Sequence, residues 1–137
     1  MNLSHEEVQD RYSMSYENYL GVHFNTYKDG KCDIELEITK DHLNIGGTTH
    51  GGVINGMLDI ALSGAVTSTV NQPDHIVVTM QMNVNFLRAG QLGDKLTATG
   101  EVIKLGSTIA YVEGSITNQD GKLLARASGD WFIKKPR

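Results

Sequence analysis

At 137 residues, 39% hydrophobic and 20% charged, the chain is read as one globular domain spanning 1–137, enough for a single core and too little for two. A net charge of −4, with Lys134, Lys135 and Arg137 the only basic cluster, excludes a nucleic-acid-binding surface. The single cysteine, Cys32, excludes an internal disulfide; with an acidic N-terminus (SHEEVQDR) that lacks a signal-like apolar stretch, it points to the cytoplasm.

Ser4, followed by Glu6 and Glu7, starts a predicted amphipathic helix that runs to about Gly21. Two short strands are expected next, near 22–27 and 32–38, and Asp29-Gly30 between them is a strong hairpin signal. The second alternates, with Cys32, Ile34, Leu36 and Ile38 on one face and Asp33, Glu35 and Glu37 on the other. A Gly- and Thr-rich loop over 41–49 leads into a long helix, about 51–70, stopped by Gln72-Pro73-Asp74. Its length suggests a membrane span, but Asn55, Asp59, Ser63, Thr67 and Ser68 argue against a lipid-facing one, so no membrane partner is expected.

The remainder reads as four strands, 76–87, 95–103, 108–116 and 123–133, separated by turns at Ala89-Gly90, Leu105-Gly106 and 118–121. The first is expected to put Val78, Met80, Met82, Val84 and Phe86 on one face and Thr79, Gln81, Asn83 and Asn85 on the other. Small residues recur at presumed inward positions: Ala98, Gly100, Ala110, Gly114, Ala125, Ala127 and Gly129. They leave room for a thick element against the sheet, and the long helix, apolar nearly all round, suits that place. Helix, two strands, long helix and four antiparallel strands make an α+β chain.

Asp59 is the only ionisable group between Gly51 and Pro73. A charged, unpaired carboxylate in apolar surroundings costs on the order of several kcal/mol, so its presence asks for a reason. The run Asn44-Ile-Gly-Gly-Thr-Thr-His50-Gly51-Gly52 sets an amide, an imidazole and two glycines at the helix start. Attack on a carbonyl leaves negative charge on its oxygen, which an orphan N–H at a helix N-terminus can meet. No serine occupies a nucleophile elbow, so no Ser/His/Asp triad is read. His5, His23, His42 and His75 form no metal-ligand spacing with Cys32, so neither metal nor other cofactor is expected.

The element order, Asn44 with His50-Gly51-Gly52 at the helix start, and an acid nine residues after the histidine together resemble the hotdog-fold acyl-CoA thioesterases. Within the 4-hydroxybenzoyl-CoA thioesterase superfamily the similarity is to the phenylacetate-degradation-type branch, and it covers nearly the whole chain. The segment from Met82 through Arg88 to Gly93-Asp94 also resembles that family's third strand and its exit. The resemblance implies a long helix wrapped by a curved antiparallel sheet, with an N-terminal helix. It implies a homodimer with active sites at the interface, with a dimer of dimers left open.

For the residues, the resemblance makes Asp59 the base that activates water or, less often, the nucleophile. Gly51 becomes the oxyanion donor from the other subunit. Asn44 orients carbonyl or water, a reading favoured over that of an Asx-turn residue opening the loop. His50 orders the glycine loop or touches substrate. Thr79 matches a hydroxyl that holds water or the acid, against a plain hydroxyl on a half-solvated strand. Gly52 admits substrate, and Arg88 meets coenzyme A phosphates or is a solvated charge at a strand end. Met57, Leu62, Met80 and Phe86 are expected to set the depth of the acyl pocket.

Two rival functions are carried. An acyl-thioester hydratase or dehydratase needs a His and acid placed at adjacent substrate carbons, and that motif is not found. A non-catalytic acyl-CoA-binding protein has no use for a costly acid in the helix.

Overall fold

A computed structural model describes residues 3–11, 13, 15–70 and 74–137. Its elements in order are α1 (His5–Arg11), α2 (Tyr16–Leu20), β1 (His23–Lys28), β2 (Lys31–Glu37), a 3-10 turn (Lys40–His42), α3 (Gly51–Thr67), β3 (Ile76–Phe86), β4 (Lys95–Leu105), β5 (Ile109–Thr117) and β6 (Leu123–Lys134). The strands form one antiparallel sheet in the order β1-β2-β4-β5-β6-β3. The long helix α3 lies on one face of this sheet, which is the hotdog architecture. Among the described residues no helix is long and apolar enough to cross a membrane.

The expected single N-terminal helix is two helices. Ser15 is extended (φ −111°, ψ 178°) and begins α2 afresh, while Tyr12 and Met14 lie outside the described residues. The first helix does start at Ser4: its Oγ accepts the Glu7 N–H at 3.2 Å and Glu7 Oε2 accepts the Ser4 N–H at 2.7 Å, a reciprocal capping box. The β1–β2 hairpin turns on Asp29 (φ 51°) and Gly30 (φ 80°), as the Asp-Gly pair predicts.

The long helix ends at Thr67, earlier than expected, for a local reason. Thr67 Oγ1 donates to Ser63 O (2.8 Å), Ser68 Oγ to Ala65 O (2.7 Å) and Thr69 Oγ1 to Val66 O (2.7 Å). The backbone itself tightens there, Thr69 N–H bonding Val66 O (3.0 Å) and Val70 N–H bonding Thr67 O (3.1 Å), while the hydroxyls add to the carbonyls of the last turns. Gln72 and Pro73, the expected stop, lie outside the described residues.

The small inward residues let helix and sheet approach closely. Cys32, Gly100, Gly114 and Ala127 form one lateral row across β2, β4, β5 and β6. A Cβ on Gly100 would collide with the Ala61 carbonyl of α3, and one on Gly64 would fall 2.6 Å from Cys32 Sγ. Because the obstacle at Gly100 is helix backbone, which cannot rotate aside, Gly100→Ala must push α3 off the sheet. The substitution is expected to cost about 1–3 kcal/mol, read as a lowered urea midpoint.

Wrapped on one side only, α3 keeps a stripe less buried than the rest: Gly52, Asn55, Gly56, Asp59, Ser63 and Thr67, spaced three or four apart. Its other faces bury Ile54, Met57, Leu58, Ala61, Leu62 and Ala65 against the sheet.

One irregularity in β3 decides which of its side chains reach the helix. The β3–β6 register shifts between Thr79 and Gln81, a β-bulge at Met80. The expected alternation of β3 is therefore broken. Val77 and Thr79 before the bulge share the helix-facing side with Met82 and Val84 after it, while Val78 and Met80 are exposed on the far side.

Candidate active site

The loop entering α3 is organised by Asn44. Its Oδ1 accepts the N–H groups of Gly46 (2.9 Å) and Thr48 (3.2 Å), and its Nδ2 donates to Thr48 Oγ1 (2.9 Å). Leu43 and Thr49 close the loop as an isolated antiparallel bridge. The Asn44 side chain is thus largely engaged by its own loop as an Asx turn, with one amide proton remaining beyond these bonds.

His50 is the N-cap of α3 (φ −61°, ψ 136°), and its Nδ1 accepts the Gly52 N–H at 2.8 Å. That bond places the ring proton of the neutral imidazole on Nε2 and makes His50 an ordering residue of the helix start. It also occupies the Gly52 N–H, so Gly52 offers exposed surface but no donor. The Gly51 N–H, one position earlier, has no partner among the described residues. This open donor lies at the positive end of a 17-residue helix. Gly51 lines a cleft of about 370 Å³ with Thr49, Ile54, Phe86 and Arg88. Arg88 is exposed at the strand exit, at the cleft's edge. A larger groove of about 770 Å³ borders the other side of the helix start, between Tyr16, Tyr19, Leu43, His50, Gly52 and Val53.

Two turns along the helix, Asp59 is half-buried on the open stripe. Its Oδ1 accepts the Thr79 hydroxyl at 2.6 Å, a short charge-assisted bond, and the Ser63 hydroxyl at 3.5 Å. Ser63 Oγ in turn accepts the indole N–H of Trp131 at 2.7 Å. Thr79 reaches the acid only because of the bulge, so its expected place on the polar face with Gln81, Asn83 and Asn85 is corrected. Of the residues expected to set pocket depth, Met57 and Leu62 are fully buried core and Met80 points outward; Phe86 alone borders the Gly51 cleft. Cys32 is also core, its thiol pushed well above the usual range by burial and, secondarily, by the charge of Asp33, so it is no nucleophile.

An acid held by hydroxyl donors on the same helix as an open N-terminal N–H suits attack on a carbonyl. The family model of the thioesterase superfamily matches residues 46–125, the segment that carries both. The chain belongs to the thioesterase superfamily. Human acyl-coenzyme A thioesterase 13 is 31% identical over 98 residues, 71% of this chain and 69% of that one. The PaaI protein of the Escherichia coli phenylacetic acid degradation operon superposes with a TM-score of 0.86 at 25% identity, covering 95% of this chain and 92% of that one. A hypothetical thioesterase of Streptococcus pneumoniae, solved with coenzyme A, superposes with a TM-score of 0.78 at 29% identity, covering 85% of this chain and 91% of that one. The chain is accordingly a thioester hydrolase with the hotdog fold that PaaI shares.

Two members of the Asp59 cluster lie beyond the residues that the sequence singles out. Ser63 comes four residues after Asp59, on the same helix face, so its proximity is available from spacing alone. Trp131 is 68 residues from Ser63, and no local pattern connects them.

Proposed function

We propose that the single domain hydrolyses acyl-CoA esters at sites built from two copies of the chain. Asp59 of one subunit takes a proton from water as the water oxygen attacks the thioester carbonyl carbon. The partner subunit's Gly51 N–H meets the charge that develops on the carbonyl oxygen. The tetrahedral intermediate then expels coenzyme A, and Asp59 returns the proton to the leaving sulfur, releasing free acid and thiol. Thr79 holds the carboxylate, the spare amide proton of Asn44 turns to water or carbonyl, and His50 fixes the glycine turn. Gly52 leaves an open approach, and Arg88 lies where phosphates of the coenzyme can be met.

The carrying observation is that α3 bears an open donor and a held carboxylate eight residues apart. At 1.5 Å rise per residue that separates their backbones by about 12 Å along the helix. In this reading each is matched by its counterpart from a second chain. The edge of the sheet supports such a partner: β3 is 11 residues long with one side unpaired, and Ile76, Val78, Met80 and Phe86 on it are all exposed. Pairing two β3 edges would continue the sheet through both subunits.

Thiol release from aryl, short-chain and medium-chain acyl-CoA esters tests the reading. Wild-type protein is expected to release thiol from at least one class, and Asp59→Asn to release it at least about a hundredfold more slowly. Tight binding without thiol would instead indicate a binding protein, and an enoyl or hydroxyacyl product without thiol a hydratase.

A further inference from the structure

We propose that Trp131 is a positioning residue for Asp59, acting through Ser63. The inference rests on the catalytic reading of Asp59 and extends it to a residue on another strand, buried from any substrate. Trp131 and Thr79 are register partners across β6 and β3, and both face α3. From those adjacent positions Thr79 reaches Asp59 and Trp131 reaches Ser63, one helical turn on.

The direction of these bonds follows from the groups themselves. An indole N–H only donates, so the Ser63 oxygen must accept it. A serine within a helix otherwise turns its proton to the carbonyl four residues back, which here is the backbone oxygen of Asp59 itself. With Ser63 Oγ fixed by Trp131 at 2.7 Å, its hydroxyl points instead at Asp59 Oδ1, 3.5 Å away. Oδ1 then receives both hydroxyls, from Thr79 and Ser63, and is occupied by them. Oδ2, which has no hydrogen-bond partner among the described residues, is the oxygen left to take the proton from water. Trp131 is fully buried and the only tryptophan of the chain, so its ring cannot drift from this bond without disturbing the core.

The test is a double-mutant cycle on kcat and KM for the best acyl-CoA ester: Ser63→Ala, Trp131→Phe and the double variant, with Asp59→Asn as reference. Each single variant is expected to lower kcat about tenfold, as loss of one aligning bond does, and to leave KM within about twofold. The double variant is expected to be no slower than the slower single, because both remove the same bonded chain. Losses that multiply in the double variant, or a Trp131→Phe enzyme with wild-type kcat, overturn the proposal. If Trp131→Phe fails to fold, benzothienylalanine at position 131 removes the N–H while keeping the ring's shape, and the same outcomes apply. An Asp59→Asn enzyme that retains turnover defeats the catalytic reading and this inference with it. An inactive Asp59→Asn beside an unimpaired N–H-less variant defeats this inference alone.

Discussion

Asp59→Asn is expected to lower kcat for acyl-CoA hydrolysis by a factor of about 10²–10⁴, with KM little altered. The substitution changes one heavy atom and keeps an oxygen where Thr79 Oγ1 donates at 2.6 Å, so the cluster can hold its shape. What it removes is the basic lone pair that accepts the proton of water. The side chain is half-buried on the open stripe of α3 and the variant carries no charge there, so its thermal midpoint should equal or exceed that of the wild type. Thiol-release rates with a parallel melting curve separate the two effects. Turnover within tenfold of wild type, by a variant with an intact melting transition, would remove Asp59 from the role of base. Asp59→Ala should be at least as slow, because it also strands the Thr79 and Ser63 hydroxyls without their shared acceptor.

Much of this architecture was legible because it is written in short-range chemistry. The Asp29-Gly30 turn, the alternation of Cys32, Ile34, Leu36 and Ile38, and the small residues from Ala98 to Gly129 all depend on neighbours one or two positions away. The long helix was legible too, though its end was not: the backbone tightens at Thr69 and Val70 while the hydroxyls of Thr67, Ser68 and Thr69 add to its last carbonyls, and those added bonds are decided by rotamers. The bulge at Met80 had no sequence mark, since neither glycine nor proline is there. A strict period of two therefore sent Thr79 to the wrong face. Asp59 could be singled out because a lone acid among apolar residues is visible by contrast. The bond from Trp131 could not, because register across a sheet is set by the whole fold.

Gly51→Pro is expected to lower kcat by about 10²–10³, the loss typical of one oxyanion donor. A backbone donor is ordinarily beyond mutagenesis, but Gly51 is the first residue of α3, where proline is well accepted and no helical bond is lost. His50 before it already has φ −61° and ψ 136°, the extended conformation that a following proline demands. Gly51→Ala is the control: it keeps the N–H, and its Cβ would lie 3.6 Å from the Phe86 ring, an ordinary contact, so most activity should survive. The contrast between the two variants isolates the donor from the shape of the turn. Mixing then decides which chain supplies it. In co-expressed Asp59→Asn and Gly51→Pro chains, half the dimers pair one of each, and each mixed dimer rebuilds one site of two. About a quarter of wild-type activity should return from two nearly inactive parents. If acid and donor instead acted within a single chain, every site would lack one of them, and the mixture would stay as slow as its components.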